Sequence, residues 1–399
     1  MNTSASSPRR GLIRNKIAYV FFYVTLYIVI RVTRHFTYTY AKTKTAPALV
    51  LANHNSDWDP LMLVVGLRRH MKFVASANIL SGFTGGIIRF LVNPIPRPKG
   101  ASAEETVALI EENLRAGISV AMFPEGNKSW DGTTGYISPR TARLVKDAGC
   151  GLILYRFDGD YLQTPRWARF RRRGRVTGRV IGEYTPAELA GMSPEDIYDL
   201  IVAGLAANAF DAQRQKPCRY RGKRKAEGFE TLAYLCPSCR RFGSIVTRGD
   251  EITCACGLHL TYTDYGFLEG TPGAPGDACQ WNAFQREYLA QNIESLSAQT
   301  AAPLCTDRGC LLSIRTPDGA EQSLPHTDVY TYGDRLEFHV PGREPLSVPW
   351  TGISKMGMFR NTSVYLTCGL GRVTVKRDAG LSGIRYFSLW RVFCGKPLF

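Results

Sequence analysis

The sequence predicts a mixed α/β domain, preceded by a short apolar helix and followed by a cysteine-rich module and a β-rich C-terminal domain. Three observations support this prediction. Strand-like and helix-like segments alternate over residues 46–213, which is typical of a mixed or largely parallel sheet flanked by helices. Four cysteines form two close pairs within residues 231–268, and short β-branched segments separated by turn residues fill residues 300–399.

Composition restricts the class of protein. The 399 residues are 44% apolar and 21% charged, which excludes general disorder, a coiled coil and a collagen-like chain. The mean hydropathy of -0.15 and the single long apolar run exclude a polytopic membrane protein. The net charge of +16 predicts attraction to phospholipid headgroups, acidic carrier proteins or nucleic acid. The 11 cysteines, an odd number, fit a reduced compartment with a metal site better than a secreted disulfide framework.

Residues 1–45 form a basic, apolar segment that we interpret as membrane-associating. Its apolar run, residues 17–30 with Thr25 as the one polar member, is shorter than the roughly 20 residues of a spanning helix. Arginines follow this run where a cleaved signal peptide would have small residues. Basic residues on both sides, Arg31 and Arg34 among them, favour a helix lying on the anionic cytoplasmic face of the cell membrane. A buried core helix and a short true span are the alternatives.

The α/β domain, residues 46–213, is predicted element by element from apolar periodicity. The expected elements are strand 48–53, helix 60–67, strand 71–75, a helix from the capping box of Ser102 and Glu105 to Leu114, strand 118–123, helix 139–148, strand 151–157 and a helix from Ser193 to about Ala212. Two stretches rich in arginine, 166–179 and 214–225, contain no acidic residue. We interpret both as solvated basic faces or linkers, the second of them within a basic linker over 214–230.

A histidine follows the first strand of this domain. His54 precedes Asp59 by five residues, a spacing at which a turn can bring a carboxylate to one imidazole nitrogen. Histidine acts as a general base near neutral pH, and a carboxylate on its other nitrogen fixes the tautomer. Asp57 is a nearer candidate partner, or a helix N-cap. By itself such a pair is more often an ordinary surface contact.

Two further motifs suggest a ligand site. The segment FPEGNKS follows strand 118–123, so it lies at the carboxyl end of a strand, where open α/β sheets bind ligands. Within it, Glu125 can accept from substrate hydroxyls or brace a neighbouring base, Gly126 permits close backbone approach, and Lys128 offers a cation for phosphate. In the segment NPIPRPKG, Arg97 offers a fork for phosphate between two stiffening prolines. A plain turn and a rigid exposed loop are the alternative interpretations.

Together and in this order, these motifs resemble the glycerophospholipid acyltransferase family, which includes lysophosphatidic acid and glycerol-3-phosphate acyltransferases. His54 and Asp59 match its His-x4-Asp block, Arg97 matches the arginine of its second block, and residues 123–129 match its third block, with Asn127 and Lys128 replacing Thr and Arg. The segment GLILYRFDG lacks the proline of the fourth block. The resemblance covers residues 1–212.

The resemblance implies a fold, a reaction and roles for residues. His54 takes the proton of an acceptor hydroxyl while Asp59 holds its ring, and Arg97 and Lys128 hold a phosphate, with Glu125 and Gly126 in the substrate site. The acyl donor is acyl-ACP or acyl-CoA. The acceptor is a lysophospholipid, with 1-acyl-sn-glycerol-3-phosphate giving phosphatidic acid as the first choice and another lysolipid or glycerol-3-phosphate as alternatives. Catalysis needs no metal or cofactor.

The cysteine-rich module, residues 231–268, predicts a structural zinc site. Cys236 and Cys239 form a CxxC pair, and Cys254 and Cys256 a CxC pair, a separation that resembles a zinc ribbon. The tighter CxC spacing leaves His259 open as a replacement ligand, and four reduced core cysteines are the alternative interpretation. A linker and helix, residues 269–299, then lead to the β-rich domain, 300–399, which resembles the pleckstrin-homology superfold.

Two other classes of protein compete with the enzyme. A basic, zinc-ribbon nucleic-acid-binding protein would account for the charge and the cysteines, yet it leaves the apolar N-terminal run and the three motifs unexplained, so we expect no nucleic acid partner. An inactive lipid-sensing scaffold would retain the fold without the catalytic activity, and the intact His54 and Asp59 argue against this alternative. Sedimentation with membranes would separate the enzyme from the nucleic-acid binder.

Overall fold

A computed structural model describes residues 23–76, 94–97, 104–359, 362–378 and 380–398. The chain divides into two compact units, one of residues 1–165 and 173–220 and the other of residues 166–172 and 221–399. Residues 166–172 therefore belong to the second unit, although the sequence on both sides of them belongs to the first. All residues after Tyr220 belong to the second unit.

The first unit is built on a seven-stranded sheet. Its strands are β1 (Phe36–Tyr38), β2 (Ala48–Ala52), β3 (Lys72–Ser76), β4 (Ile95–Arg97), β5 (Val120–Met122), β6 (Gly151–Asp158) and β7 (Val176–Tyr184). Their order is β1-β7-β6-β2-β5-β3-β4. All neighbours are parallel except β6 and β7, which are antiparallel. The mixed sheet confirms the predicted α/β class.

The helices of the first unit agree with the predicted pattern. They are α1 (23–34), α2 (Asp59–Leu67), α3 (Glu104–Arg115), α4 (Arg140–Ala148), α5 (Asp160–Gln163), α6 (Pro186–Ala190), α7 (Pro194–Leu205) and α8 (Ala209–Gln215). Ser193 and Asp196 form the predicted reciprocal capping box at the start of α7. That helix ends earlier than predicted, because Asn208 caps the separate helix α8. Ser102 lies outside the described residues.

Strand β2 lies at the centre of the first unit because its side chains are apolar on both faces. Val50 packs with residues of α2 on one side of the sheet, and Leu49 and Leu51 pack with residues of α3, α4 and α7 on the other. Parallel strands covered on both faces have such continuous apolar sequences. The loop after Ala52 therefore leaves the sheet between the carboxyl ends of β5 and β6, the two neighbours of β2.

Helix α1 contains the described part of the predicted membrane-associating helix, whereas β1, within the same predicted segment of residues 1–45, pairs with β7 in the sheet. Leu26 and Ile30 are buried in the core of the first unit, whereas Val24, Ile28 and Val32 are 58%, 56% and 67% exposed. At 3.6 residues per turn, the exposed and buried side chains occupy opposite faces of the helix. No helix among the described residues is long and apolar enough to cross a membrane.

Arg34, at the end of α1, does not face solvent as expected. Its guanidinium is buried, hydrogen-bonds to the Gln163 side chain over 3.2 Å and lies 4.4 Å from the centre of the Trp58 ring. The expectation that Arg34 contacts lipid headgroups is therefore wrong. Its charge instead secures the end of α1 against the body of the first unit.

The second unit contains two antiparallel sheets. The smaller has strands β8 (Val246–Arg248), β9 (Glu251–Thr253), β10 (His259–Tyr262) and β11 (Leu268–Gly270), in the order β11-β10-β9-β8. The larger has β12 (Cys305–Arg315), β13 (Glu321–Thr331), β14 (Arg335–His339), β15 (Leu346–Pro349), β16 (Lys355–Phe359), β17 (Ser363–Cys368) and β18 (Gly371–Lys376), in the order β15-β14-β13-β12-β18-β17-β16. Helices α9 (Ala278–Gln291), α10 (Ile293–Ser297) and α11 (Gly383–Phe393) complete it. The likeness to a pleckstrin-homology fold stays a prediction.

The arginine-rich stretches contribute buried residues to the second unit. Arg172 is buried, donates to the carbonyl of Lys225 and lies 4.6 Å from the centre of the Tyr262 ring. Lys225 is also buried and pairs with Asp264 over 2.6 Å. The interpretation of these stretches as solvated basic faces is wrong for these residues, because their acidic and aromatic partners come from distant parts of the sequence.

Candidate active site

His54 and Asp59, paired from their spacing in the sequence, are in direct contact. The Nδ1 atom of His54 lies 2.9 Å from Oδ2 of Asp59. Asp57, the alternative partner, is 77% exposed and pairs with Lys128 instead. When Nδ1 donates its proton to Asp59, the lone pair of the imidazole is on Nε2. Because the His54 side chain is 19% exposed, the ring is accessible from solvent while its carboxylate partner is not.

Asp59 is fully buried and is held as an acceptor by four donors. Besides the His54 ring, the backbone N–H groups of Asn55 and Ser56 donate to Oδ2 over 2.7 and 2.9 Å, and the Ser56 hydroxyl donates to Oδ1 over 2.5 Å. Asp59 is also the first residue of α2, where the helix dipole favours a negative charge. This loop therefore fixes both the position and the acceptor role of the carboxylate.

The turn after β5 fixes His54 from the other side. The backbone N–H of His54 donates to Oε1 of Glu125 over 2.8 Å, and its carbonyl accepts from the N–H of Ser129 over 2.9 Å. The imidazole also stacks on the Phe123 ring, with 4.3 Å between ring centres. The first and third sequence motifs thus meet in one site, as the resemblance implies.

Glu125 has both carboxylate oxygens occupied by the backbone. In addition to the contact with His54, Oε2 accepts from the N–H of Gly135 over 2.7 Å. Of the two roles that the sequence left open, this geometry favours bracing the base over accepting from a substrate hydroxyl. Burial raises the pKa of Glu125 to about 7, although the two backbone donors act in the opposite direction.

The other predicted substrate residues lie at the same edge of the sheet. Gly126 has a φ of 68°, a left-handed conformation that favours glycine, and its N–H closes the turn onto Phe123. Lys128 lies 3.0 Å from Asp57. Arg97 is exposed at the carboxyl end of β4, three strands from β2, or about 14 Å at the usual strand spacing. The residues that follow Arg97, 98–103, lie outside the described part of the chain.

Asp160 is a site residue that sequence reasoning missed. It is 2% exposed, its Oδ1 accepts from the Asn55 side chain over 2.9 Å, and it interacts electrostatically with Asp59. Burial first, and then the charge of Asp59, raise the pKa of Asp160 well above its usual range. A signal was present: the second aspartate of the sequence DGD lies two residues after the end of the buried strand β6.

The four predicted metal ligands, Cys236, Cys239, Cys254 and Cys256, come together in the second unit, with their sulfur atoms within 4.8 Å of one another. His259, the alternative ligand, contacts a carboxylate instead, since its Nε2 is 2.7 Å from a Glu251 oxygen. The cluster offers a compact set of soft donors without a carboxylate or imidazole.

Residues 33–153 match the protein family described as Acyltransferase. No curated protein matches the sequence significantly. Among solved structures, the 1-acyl-sn-glycerophosphate (LPA) acyltransferase PlsC of Thermotoga maritima is similar at 16% identity and a TM-score of 0.42, over 55% of this chain and 86% of that chain. The C-terminal domain of an unknown protein from Leishmania infantum is similar at 12% identity and a TM-score of 0.18, over 28% of this chain and 98% of that chain.

Proposed function

We propose that this chain, whose residues 33–153 match the family described as Acyltransferase, transfers an acyl group from acyl-ACP or acyl-CoA to the free hydroxyl of a lysophospholipid. The preferred acceptor in this proposal is 1-acyl-sn-glycerol-3-phosphate, and the product is phosphatidic acid. The observation that carries the proposal is the contact of His54 Nδ1 with the buried Asp59 at 2.9 Å, which leaves Nε2 as the basic nitrogen of an accessible ring.

The reaction follows from this geometry. Nε2 of His54 takes the proton of the acceptor hydroxyl as its oxygen attacks the thioester carbonyl, and the imidazolium that forms is stabilised by Asp59. The tetrahedral intermediate then collapses, the carbon–sulfur bond breaks, and the thiolate leaves and takes up the proton held by His54. Glu125 and the Phe123 ring prevent the imidazole from turning away during these steps, which keeps the base in an attacking geometry.

The acceptor phosphate provides the second part of the proposal. Arg97 and Lys128 both lie at the carboxyl edge of the sheet that carries His54, and both are cations suited to phosphate. Lys128 is already paired with the exposed Asp57, so a bound phosphate would compete with that carboxylate. Arg97 therefore has the larger share of phosphate binding in this proposal.

The test is transfer of a radiolabelled acyl group to a panel of lysolipids and glycerol-3-phosphate, with acyl-ACP and acyl-CoA supplied separately. We expect His54→Ala to abolish transfer while circular dichroism shows an unchanged fold. His339→Ala is a matched control, because His339 forms a histidine–carboxylate contact of similar length with Glu337, 3.0 Å, outside the site. Turnover close to wild type in His54→Ala would refute the mechanism, and no transfer to any acceptor would refute the function.

The same enzyme is proposed to work at an anionic membrane surface on the cytoplasmic face. The exposed apolar face of α1, formed by Val24, Ile28 and Val32, offers area for insertion below the headgroups, and basic residues precede it in the sequence. We expect Ile28→Asp to weaken sedimentation with phosphatidylglycerol vesicles. Val246→Asp is the control, because Val246 is 60% exposed in the second unit. Equal vesicle binding by wild type and Ile28→Asp would remove α1 from the membrane contact.

A further inference from the structure

The four cysteine sulfurs of the second unit lie close enough together to surround one metal ion. The Sγ atoms of Cys236 and Cys256 are 3.7 Å apart, those of Cys239 and Cys254 are 3.8 Å apart, and all four lie within 4.8 Å. A zinc–sulfur distance of about 2.3 Å places tetrahedral ligands about 3.8 Å from one another. Both of these separations equal that value within about a tenth of an ångström.

The backbone presents these sulfurs from two similar turns. In the first, the carbonyl of Cys236 accepts from the N–H of Arg240 over 3.1 Å, and Arg240 has a φ of 61°. In the second, the carbonyl of Cys254 accepts from the N–H of Gly257 over 3.0 Å, and Gly257 has a φ of 98°. The left-handed Gly257 closes the second turn at the third residue after Cys254, whereas Arg240 closes the first at the fourth residue after Cys236, and the tighter turn matches the shorter CxC spacing.

A disulfide and a core of packed thiols both fit the cluster less well than a metal ion does. The sulfur separations are far beyond the roughly 2.05 Å of a disulfide. Four thiols that merely fill a core would be buried together, whereas Cys256 is exposed and Cys239 half-buried. His259 is not a competing ligand, because it contacts Glu251.

We propose that Cys236, Cys239, Cys254 and Cys256 bind one zinc ion as thiolates. Four protein ligands complete a tetrahedral shell, so the site is structural rather than catalytic. It joins the turn at Cys236 to the β9–β10 connection, which contains Cys254 and Cys256, and so ties the four-stranded sheet to the segment before it. Zinc binding then contributes directly to folding of this part of the second unit.

The experiment is metal analysis of the purified full-length protein, followed by release of zinc with a mercurial in the presence of a chromogenic chelator. We expect one zinc per chain, released as the thiols are titrated. The double variant Cys239→Ser/Cys256→Ser should lose the zinc. Cys368→Ser and His259→Ala are matched controls from the same unit, and both should keep one zinc per chain.

A second measurement keeps the proposal testable if the double variant does not fold. Wild-type protein stripped of metal and reloaded with cobalt should show the absorption of tetrahedral cobalt–thiolate coordination, and Cys256→Ser should weaken it. No metal in the wild type, iron in place of zinc, or a full zinc content in the double variant would each overturn the proposal. None of these outcomes depends on acyltransferase activity.

Discussion

Replacing Asp160 by Asn and by Ala tests whether a neutral carboxyl supports the His54–Asp59 pair. The Oδ2 atom of Asp160 is buried and accepts no hydrogen bond from any described residue, as expected of a carboxyl that donates there. Burial and the charge of Asp59 raise the pKa of Asp160, which favours its protonated form, and we expect that form to donate to Asp59. Asparagine has the same shape, so its oxygen can accept from Asn55 while its amide donates to Asp59.

The two substitutions should therefore differ strongly. Asp160→Ala removes a hydrogen bond to a charged group, worth about 1.5–3 kcal/mol. If that amount is lost from the transition state, kcat/KM falls roughly 10–150-fold, at about 1.4 kcal/mol per tenfold. Asp160→Asn keeps both hydrogen bonds and should stay within roughly threefold of wild type.

The pH dependence gives a second readout. Because the pKa of Asp160 is raised in the folded protein, its contribution to stability is present at low pH and is lost as the pH rises through that raised value. Ionisation would also place a second negative charge beside Asp59. The decline in kcat/KM that this causes with rising pH should be absent from Asp160→Asn.

The assay is kcat/KM against pH for wild type and both variants, with circular dichroism to verify folding. Asp158→Asn is the matched control, because Asp158 lies two residues away but pairs with Arg179 over 2.7 Å rather than with Asp59. The reasoning is refuted if Asp160→Asn is as damaging as Asp160→Ala at every pH, or if Asp160→Ala behaves as wild type.

Three further predictions concern the same site. Asp59→Asn should lower kcat/KM roughly 100-fold or more, the usual contribution of general-base catalysis. The reason is that the amide N–H group of the new asparagine would face the backbone N–H groups that now donate to the carboxylate. Near-normal steady-state rates in this variant would contradict the role of Asp59. Arg97→Ala should raise the acceptor KM roughly 10–150-fold, as loss of a charge-assisted contact predicts, and Lys128→Ala should raise it less. An unchanged acceptor KM in both variants would exclude a role of these two residues in phosphate binding. Glu125 has its pKa raised from 4.5 to about 7, so its protonated form stabilises the fold and this stability is lost as the pH rises through about 7. The free energy of unfolding, measured with denaturant at a series of pH values, should decline through about pH 7 in wild type and change less with pH in Glu125→Gln.

The fold could be predicted where apolar sequence alone determines an element. Strands β2, β5 and β6 are short apolar runs buried in the sheet, and apolar periodicity predicts their positions to within about two residues. Strand β7 was missed because most of its side chains are only half-buried, so arginine and glycine interrupt the apolar pattern that identifies a strand. The basic stretches were misinterpreted for a related reason: sequence shows the charge of Arg172 but not the rings that cover it.

Apart from what the family resemblance implies, the contacts of the site could be predicted only where they are local. Five residues separate His54 from Asp59, and a single turn at the start of α2 joins them. Glu125 contacts His54 across 71 residues of sequence, and Asp160 contacts Asn55 across 105. Such contacts depend on which strands are neighbours, and hydrophobic periodicity does not specify strand order.

Strand order accounts for how the base is held. Because β2 lies between β5 and β6, the loop that carries His54 is approached from one side by the turn after β5 and from the other by the residues after β6. Glu125, from the first side, accepts from the backbone of His54, and Asp160, from the second, accepts from the side chain of Asn55, the next residue of the loop. The loop that carries the histidine is thus held by different neighbouring strands. The orientation of the imidazole is therefore a property of three adjacent parallel strands, whose order in the sheet the sequence motifs do not show.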